Sequence, residues 1–173
     1  MPLTQPRSYH RAVRCFIRDI HNSAFITTLV RTLKRNGAGT LWIVGGTVYR
    51  TLAKHLYGHP VGHNTCDCDI TYTNPLPPLD LPQGWSFEKK PNSPEPFDPY
   101  DRDRILHGER TADLMHLGEW YIFGALGKAA TIENYLDTVP LDIQSIAYNP
   151  LDRELYDAGC REALESRTIR IKC

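Results

Sequence analysis

Residues 41–48 read LWIVGGTV and contain the feature that decides the fold of this chain. The first four residues are an apolar run that is too short for a helix and has no polar alternation, so they predict a strand covered on both faces. Gly45 and Gly46 follow this strand and permit a tight reversal. Their missing side chains also let backbone N–H groups approach an anion closely, as a phosphate-binding turn requires.

A helix is predicted directly after the two glycines, over residues 47–56. Val48, Leu52 and Leu56 recur at four-residue steps and form its buried stripe, while Arg50 and Lys54 lie off that stripe. The positive N-terminal end of this helix points toward the glycine turn, which favours a phosphate there. The residues expected to bind the phosphates of a nucleotide are Gly45, Gly46, Thr47, Arg50 and Lys54.

A second strand is predicted over residues 66–73, where polar and apolar residues alternate. Asp67 and Asp69 then leave the sheet on the same side. Two carboxylates at this separation repel each other unless a cation is present, and Mg²⁺ prefers such oxygen ligands together with phosphates. An isolated Asp-x-Asp is also common in solvated loops. The glycine turn and the helix that precede it favour a metal site, with Mg²⁺ or Mn²⁺ as the ion.

Two further carboxylates are candidates for the same site. Asp113 lies in a strand-like segment, residues 110–117, and is the candidate third ligand if two metal ions are to be clamped. A structural ion pair with a basic side chain is the alternative role for Asp113. Asp142 lies in the β-type run of residues 139–148, where a metal, a ribose hydroxyl and a nearby basic side chain are all compatible partners.

The order of these motifs resembles that of the DNA polymerase β-type nucleotidyltransferase superfamily. The matching motifs are Gly-Gly-Thr-Val at 45–48, Asp-Cys-Asp at 67–69 and Ala-Asp-Leu at 112–114. The segments at 144–149 and 155–157 are similar to a later part of the head domain of tRNA CCA-adding enzymes and bacterial poly(A) polymerases. Over residues 39–171, the resemblance implies an α+β, polymerase β-type nucleotidyltransferase fold, with a mixed β-sheet and helices packed mainly on one face.

The resemblance also implies an activity, the transfer of NMP from an NTP to a hydroxyl acceptor with release of pyrophosphate. Asp67, Asp69 and Asp113 are the implied catalytic and metal-binding residues. We expect an RNA acceptor, such as the 3′ end of a tRNA-like molecule. Tyr49-Arg50 stands where the family has Arg-Asp, and the chain has no room for the neck, body and tail domains. A minimal single-domain member without a complete CCA-adding cycle is therefore expected.

Other functions fit parts of the same pattern. Small nucleotidyltransferases of this kind also transfer AMP to proteins. A noncatalytic relative would bind a nucleotide or a partner protein without turnover, although the retained carboxylates speak against it. A sugar-nucleotide glycosyltransferase also uses an Asp-x-Asp motif, but the Gly-Gly helix start and the short chain disfavour that interpretation.

Length and composition are those of an ordinary globular domain, with 173 residues of which 41% are hydrophobic. The 20 basic residues balance the 20 acidic ones, so net charge is uninformative about nucleic acid. Residues 1–37 are predicted as a helical segment that packs on a nucleotidyltransferase domain of residues 38–173. One face of its first helix is basic, which suits either an RNA backbone or solvent. The arginines of this face are Arg7, Arg11, Arg14 and Arg18.

Prolines crowd the segment of residues 74–104, which predicts a long loop with a short strand at 85–89 and a charged, exposed tip at 98–104. A lid over the substrate and a connector without catalytic role are both compatible with this loop. Further helices are predicted over residues 24–34 and 130–136.

Five cysteines form no disulfide pattern, and the chain has no secretory or membrane-length apolar segment. We therefore expect a cytoplasmic protein without a membrane partner. A zinc site at His59, His63, Cys66 and Cys68 is an alternative. It lacks the usual Cys-x-x-Cys spacing, and in the predicted strand both sulfur atoms point into the core, so it is disfavoured.

Overall fold

The structure is a computed structural model that describes residues 8–58, 67–89 and 103–172. Its central element is a mixed seven-stranded sheet with the order β3-β4-β5-β2-β1-β6-β7. Strands β2 and β5 are parallel, and the other neighbouring strands are antiparallel. The strands are β1 (Leu41–Val44), β2 (Asp67–Tyr72), β3 (Ser86–Glu88), β4 (Asp103–His107), β5 (Arg110–His116), β6 (Ile146–Asn149) and β7 (Glu154–Asp157).

Six α-helices accompany these strands within the described residues. They are α1 (Tyr9–Asn22), α2 (Ala24–Arg35), α3 (Gly45–Tyr57), α4 (Tyr121–Leu126), α5 (Ile132–Thr138) and α6 (Cys160–Ser166). The three long helices and α6 contribute to one large hydrophobic core with the sheet. The two short helices α4 and α5 belong to a second, smaller core.

Alternation along the strands assigns the two cores to opposite faces of the sheet. In β1, Leu41 and Ile43 join the large core, whereas Trp42 and Val44 join the small one. The large core therefore lies between the sheet and the long helices, and the small core lies under α4 and α5. This arrangement confirms the predicted fold class, an α+β fold with a mixed sheet and helices mainly on one face.

Several predicted elements are present with shifted ends. The predicted helix after the glycine turn is α3, which already begins at Gly45, and the predicted central strand has the expected bounds Leu41–Val44. The segment containing Asp142 is a 3₁₀ turn, Asp142–Gln144, that leads into β6, instead of one continuous strand. Helix α4 was not predicted, because six residues are too few to show a helical period.

The proline-rich segment is partly a strand region, as the short predicted strand at 85–89 indicated. Its observed counterpart β3 pairs with β4, which in turn pairs with β5. Arg104 was expected at an exposed tip, but it lies inside β4 opposite Asp113. The pairing of β3 with β4 and of β4 with β5 places Arg104 within the sheet, which explains this difference. The rest of the predicted tip, residues 98–102, lies outside the described residues.

Candidate functional site

The predicted carboxylates lie on adjacent strands and on one face of the sheet. Asp67 and Asp69 alternate in β2 with the buried Cys68 and Ile70, so both carboxylates point away from the large core. In the sheet register, Asp69 stands opposite Asp113 of β5. Residues that are directly opposite in neighbouring strands point to the same face. The three predicted carboxylates therefore lie on the same face of the sheet, near the N-terminal end of β2.

Asp113 is held by a bidentate ion pair with Arg104. Arg104 Nε donates to Asp113 Oδ1 at 2.6 Å, and Nη2 donates to Oδ2 at 3.3 Å. The Asp113 side chain is only 14% exposed, so the guanidinium compensates a largely buried charge. The hydrogen bond to Asp113 also raises the pKa of Arg104. The ion pair that was predicted as the alternative role of Asp113 is thus present, on the face that carries Asp67 and Asp69, and a role as metal ligand stays a prediction.

The glycine turn lies directly beside these carboxylates. Gly45 has φ +62°, and a Cβ atom added to it would lie 2.7 Å from Asp69 Oδ2. A Cβ atom added to Gly46 would lie 3.2 Å from Cζ of Arg50. Thr47 Oγ1 donates to the backbone oxygen of Asp67 at 3.0 Å, so this hydroxyl ties the start of α3 to the start of β2. The positive φ of Gly45 favours glycine, and a side chain at either position would displace the carboxylate or the guanidinium that lies beside the turn.

A cleft of about 1350 Å³ opens over this end of the sheet. Its floor includes the predicted phosphate-binding residues at the start of α3 together with Asp67 and Asp69. One wall comes from the α1–α2 corner and the β4–β5 turn, with Phe25, Trp85 and His107. A cavity of this size is large enough for a nucleotide. The predicted phosphate-binding residues in its lining are Gly45, Gly46, Thr47, Arg50 and Lys54.

The opposite wall is aromatic and comes from the region of α4 and α5. Trp120, Tyr121 and Tyr135 line it, and Gln144 closes it next to the sheet. The ring centroid of Trp120 lies 5.4 Å from that of each tyrosine. Trp120 Nε1 donates to Thr138 Oγ1 at 2.9 Å, so the indole is held in place. We refer to Trp120, Tyr121 and Tyr135 as the aromatic wall.

Other predicted site residues lie elsewhere or are not described. Asp142 does not line the cleft, and its Oδ1 accepts hydrogen bonds from the backbone N–H groups of Ile143 and Arg170. Arg11, Arg14 and Arg18 lie on α1 and are not among the residues that line the cleft, although Arg18 pairs with the lining residue Asp19. Four predicted residues lie outside the described part of the chain, namely Arg7, His59, His63 and Cys66.

The residues of the floor have the chemistry of a site for a hard divalent cation, since their donors are carboxylate oxygens. Within residues 8–58, 67–89 and 103–172, no three acidic, His or Cys side chains already form a ligand set. Cys68 points into the large core, as predicted, and burial raises its pKa to about 12. Its thiol therefore faces the opposite side of β2 from the two carboxylates.

Sequence reasoning missed several residues of the site. Arg104 was expected in an exposed loop, and no local pattern places it beside Asp113. Gln144 and the adjacent aromatic pair Trp120-Tyr121 were not identified either, because the 3₁₀ turn before β6 and the start of α4 reach the cleft only through tertiary packing. The one available signal was the pair of neighbouring aromatic residues after a strand. Within the described residues, no helix has the length and apolarity that crossing a membrane requires.

The fold is similar to that of solved tRNA-processing nucleotidyltransferases. A CCA-adding enzyme in complex with CTP is 17% identical, with a TM-score of 0.60, over 93% of this chain and 37% of that chain. The Thermotoga maritima CCA-adding enzyme complexed with tRNA is also 17% identical, with a TM-score of 0.58, over 93% of this chain and 36% of that one. A tRNA nucleotidyltransferase complexed with a primer tRNA and an ATP analogue is 16% identical, with a TM-score of 0.52, over 83% of this chain and 38% of that one.

These similarities confirm the fold that the motifs implied. At such low sequence identities they establish the fold and not the activity. The chain spans little more than a third of the length of these structural neighbours. No protein-family model and no curated protein sequence matches the chain.

Proposed function

We propose that this chain, which has the fold of the polymerase β-type nucleotidyltransferases, transfers NMP from an NTP to a hydroxyl acceptor and releases pyrophosphate. The observation that carries this proposal is the position of Asp67 and Asp69, which share a cleft with the glycine turn at the start of α3. Carboxylates beside a helix N-terminus suit a metal-bound triphosphate, because the carboxylates bind the metal ion and the helix N-terminus binds the phosphates.

Asp67 and Asp69 are the proposed first ligands of Mg²⁺ or Mn²⁺, since they lie in the cleft on one face of β2. Asp113 is the proposed third ligand, since it stands opposite Asp69 in the sheet register, although it is not among the residues that line the cleft. A bound divalent ion supplies charge neutralisation for the triphosphate and a lowered pKa for the attacking hydroxyl.

The phosphates are proposed to lie against the turn at Gly45 and Gly46. The N-terminal N–H groups of α3 point to this place, and no Cβ atom blocks their approach. Arg50, whose guanidinium is close to Gly46, is positioned to offset the charge that develops on the leaving pyrophosphate. Lys54 lies one helical turn further along the same cleft lining. The acceptor hydroxyl attacks the α-phosphate as the bond to the β-phosphate oxygen breaks.

RNA is the proposed acceptor, and a tRNA-like 3′ end is the proposed form of it. Two observations support this choice. Solved neighbours of the same fold include complexes with tRNA, and α1 carries Arg11, Arg14 and Arg18 on one face. Transfer of AMP to a protein hydroxyl is the alternative that would use the same floor of the cleft.

A noncatalytic nucleotide-binding function is the second candidate. One specific observation favours it, namely the ion pair that engages both oxygens of Asp113. Nucleotide binding without any transfer would distinguish this function from the enzyme.

The test is incubation of the protein with each labelled NTP, Mg²⁺ and either total RNA or total protein. We expect label in the RNA and release of pyrophosphate rather than of a nucleoside diphosphate, which a glycosyltransferase would release. The variant Asp67→Asn plus Asp69→Asn should lower transfer by about 100-fold or more, because it removes charges that act on the reacting phosphates. Asp137→Asn, at an exposed position of α5, is the matched control and should leave transfer unchanged. Intact transfer by the double variant would show that the mechanism is wrong.

A further inference from the structure

A depression with an apolar lining lies between α2 and the turn that joins β6 to β7. It has a volume of about 500 Å³, and we refer to it as the α2 depression. Ile20 and Ile26 of the α1–α2 corner line both this depression and the cleft, whereas its other residues do not line the cleft. Leu151 is 44% exposed and forms the outer edge. The apolar residues of the lining are Ile20, Ile26, Val30, Pro150 and Leu151.

The rim of the α2 depression is basic. Lys34 and Arg35 lie three and four residues after Arg31 on α2, so the three side chains share one side of the helix at a spacing of about 5–6 Å. All three residues are exposed. No acidic residue is among the described residues that line the depression. The electrostatic potential at the depression is therefore positive, which favours an anionic occupant.

The three cations differ in the contacts that they already make. Arg35 pairs with Asp80 at 3.3 Å, and Lys34 Nζ donates to the backbone oxygen of Gly39 at 3.3 Å. Arg31 has no hydrogen-bond or ion-pair partner among the described residues. An ammonium group carries three donors, so Lys34 retains two of them, and Arg31 retains its whole guanidinium. Arg31 and Lys34 are therefore the groups that can bind carboxylates beside the apolar lining.

The lining favours a peptide over the other anionic partners. Single-stranded RNA binds through aromatic side chains on which its bases stack, and the described lining contains no Phe, Tyr or Trp. A membrane surface is bound by apolar side chains that protrude, whereas a depression receives a side chain from the partner. An acidic peptide can fill the depression with one bulky apolar side chain while its carboxylates reach the rim.

We propose that the α2 depression binds an acidic peptide segment of a partner protein, with one bulky apolar side chain between Val30 and Leu151 and carboxylates at Arg31 and Lys34. This inference goes beyond the proposed nucleotidyl transfer and does not depend on it. One buried apolar side chain and two solvated ion pairs give a weak, reversible contact.

The test is the binding of a short labelled peptide that has one central Phe flanked by Glu residues, measured by fluorescence anisotropy. We expect saturable binding that weakens by about 10-fold when Ser replaces the Phe, because the burial of the ring is lost. Leu151→Ser should weaken the binding of the Phe peptide by about 3-fold, since it removes the exposed apolar edge. The same variant should not change the binding of the Ser peptide.

A charge reversal tests the rim. Arg31→Glu plus Lys34→Glu should weaken binding of the Phe peptide by about 10-fold or more, because like charges then face each other. This variant should instead bind a peptide in which Lys replaces every Glu, which also shows that it is folded. Arg11→Glu plus Arg14→Glu is the matched control. These exposed arginines have the same three-residue spacing on α1 and do not line the α2 depression, so this variant should keep the wild-type affinity.

Equal loss of affinity in the two double variants would overturn the proposal, because it would show attraction by charge alone. Equal binding of the Phe and Ser peptides would overturn it as well, since the apolar lining would then have no role. Displacement of the peptide by single-stranded RNA, or by vesicles of phosphatidylcholine and phosphatidylglycerol, at matched negative charge would assign the rim to that other class of partner and contradict a peptide site. Absence of saturable peptide binding would also contradict it. None of these measurements requires nucleotidyl transfer, so their failure and that of the proposed function are distinguishable.

Discussion

At the scale of single residues, Gly45 has a conformation and a neighbour that both disfavour a side chain. Its φ of +62° is in the left-handed region, and an added Cβ atom would lie 2.7 Å from Asp69 Oδ2. Gly84 has a similar φ of +81°, but an added Cβ atom there meets nothing within 4 Å. The two positions therefore separate backbone strain from a steric effect on the carboxylate.

We predict that Gly45→Ala and Gly84→Ala both lower the free energy of unfolding by about 1–2 kcal/mol, because alanine is strained at positive φ. Gly45→Ala should in addition displace Asp69 and lower nucleotidyl transfer by about 10- to 100-fold, since small shifts at a reacting centre are costly. Urea unfolding and transfer rates at saturating NTP are the measurements. Equal activity of the two variants would contradict a close approach of Asp69 to the turn.

The ion pair between Arg104 and Asp113 is the second single-residue feature whose energy can be measured. A double-mutant cycle with Arg104→Met and Asp113→Asn should give a coupling energy of about 1–2 kcal/mol in urea unfolding, because Asp113 is largely buried. Arg161 and Glu165 form an exposed pair of similar length on α6 and provide the control cycle. Their coupling should be about 0.3–0.5 kcal/mol. Equal coupling energies in the two cycles would show that the burial of Asp113 has no energetic effect.

At the scale of secondary-structure elements, a stack of rings connects the outer strands of the sheet to α2. Trp85, just before β3, stacks between Phe25 of α2 and His107 of β4, with interplanar angles of 7° and 16°. Phe87 of β3 lies two residues further and is 38% exposed. Trp85 thus helps to hold the outer strands on the helical layer, together with the buried Ile105 of β4, and Phe87 offers a comparison two residues away.

We expect Trp85→Ala to lower the free energy of unfolding by about 2–3 kcal/mol, since it removes a large, partly buried ring that stacks on two others. Phe87→Ala should cost less than about 1 kcal/mol, because its ring is already partly in water. Chemical unfolding followed by far-UV circular dichroism would measure both values. A smaller effect of Trp85→Ala than of Phe87→Ala would refute the anchoring role of the stack.

At the scale of the whole molecule, charge is balanced in number but uneven in position. The 20 basic and 20 acidic residues cancel, yet α1 carries Arg11, Arg14 and Arg18 on one face. Arg18 is also paired with Asp19 at 3.3 Å, and its side chain remains 64% exposed. An RNA backbone and solvent were both predicted as compatible surroundings for this basic face.

Replacement of Arg11, Arg14 and Arg18 by glutamine should weaken the binding of single-stranded RNA and reduce its salt dependence. The slope of log K against log salt should become shallower by about 0.7 for each phosphate that the variant no longer neutralises. A matched variant with glutamine at Arg153, Arg161 and Arg170, which are also exposed, should keep the wild-type slope. Fluorescence anisotropy of a labelled oligonucleotide over a series of salt concentrations is the measurement. An equal change in both variants would mean that α1 has no special role.

Local periodicity was enough to predict much of the fold. The apolar run Leu41–Val44, the four-residue repeat of α3 and the alternation in β2 each depend on neighbours within a few residues, and all three are present. The common side of Asp67 and Asp69 follows from the same alternation. Local periodicity therefore predicted these elements and the common side of the two carboxylates of β2, whereas the class of the fold was predicted from the resemblance of the motif order to a known family.

Which distant groups meet depends on the tertiary arrangement of the strands and helices. The parallel pairing of β2 with β5 sets Asp69 opposite Asp113, and the pairing of β4 with β5 brings Arg104 to the same carboxylate. The packing of α4 and α5 on the second face forms the aromatic wall beside Gln144. Such contacts depend on strand order and register between segments far apart in the chain, and no local pattern of residues specifies these. Side-chain periodicity determines which face of an element is buried, whereas the packing of all the elements together determines which elements lie next to each other.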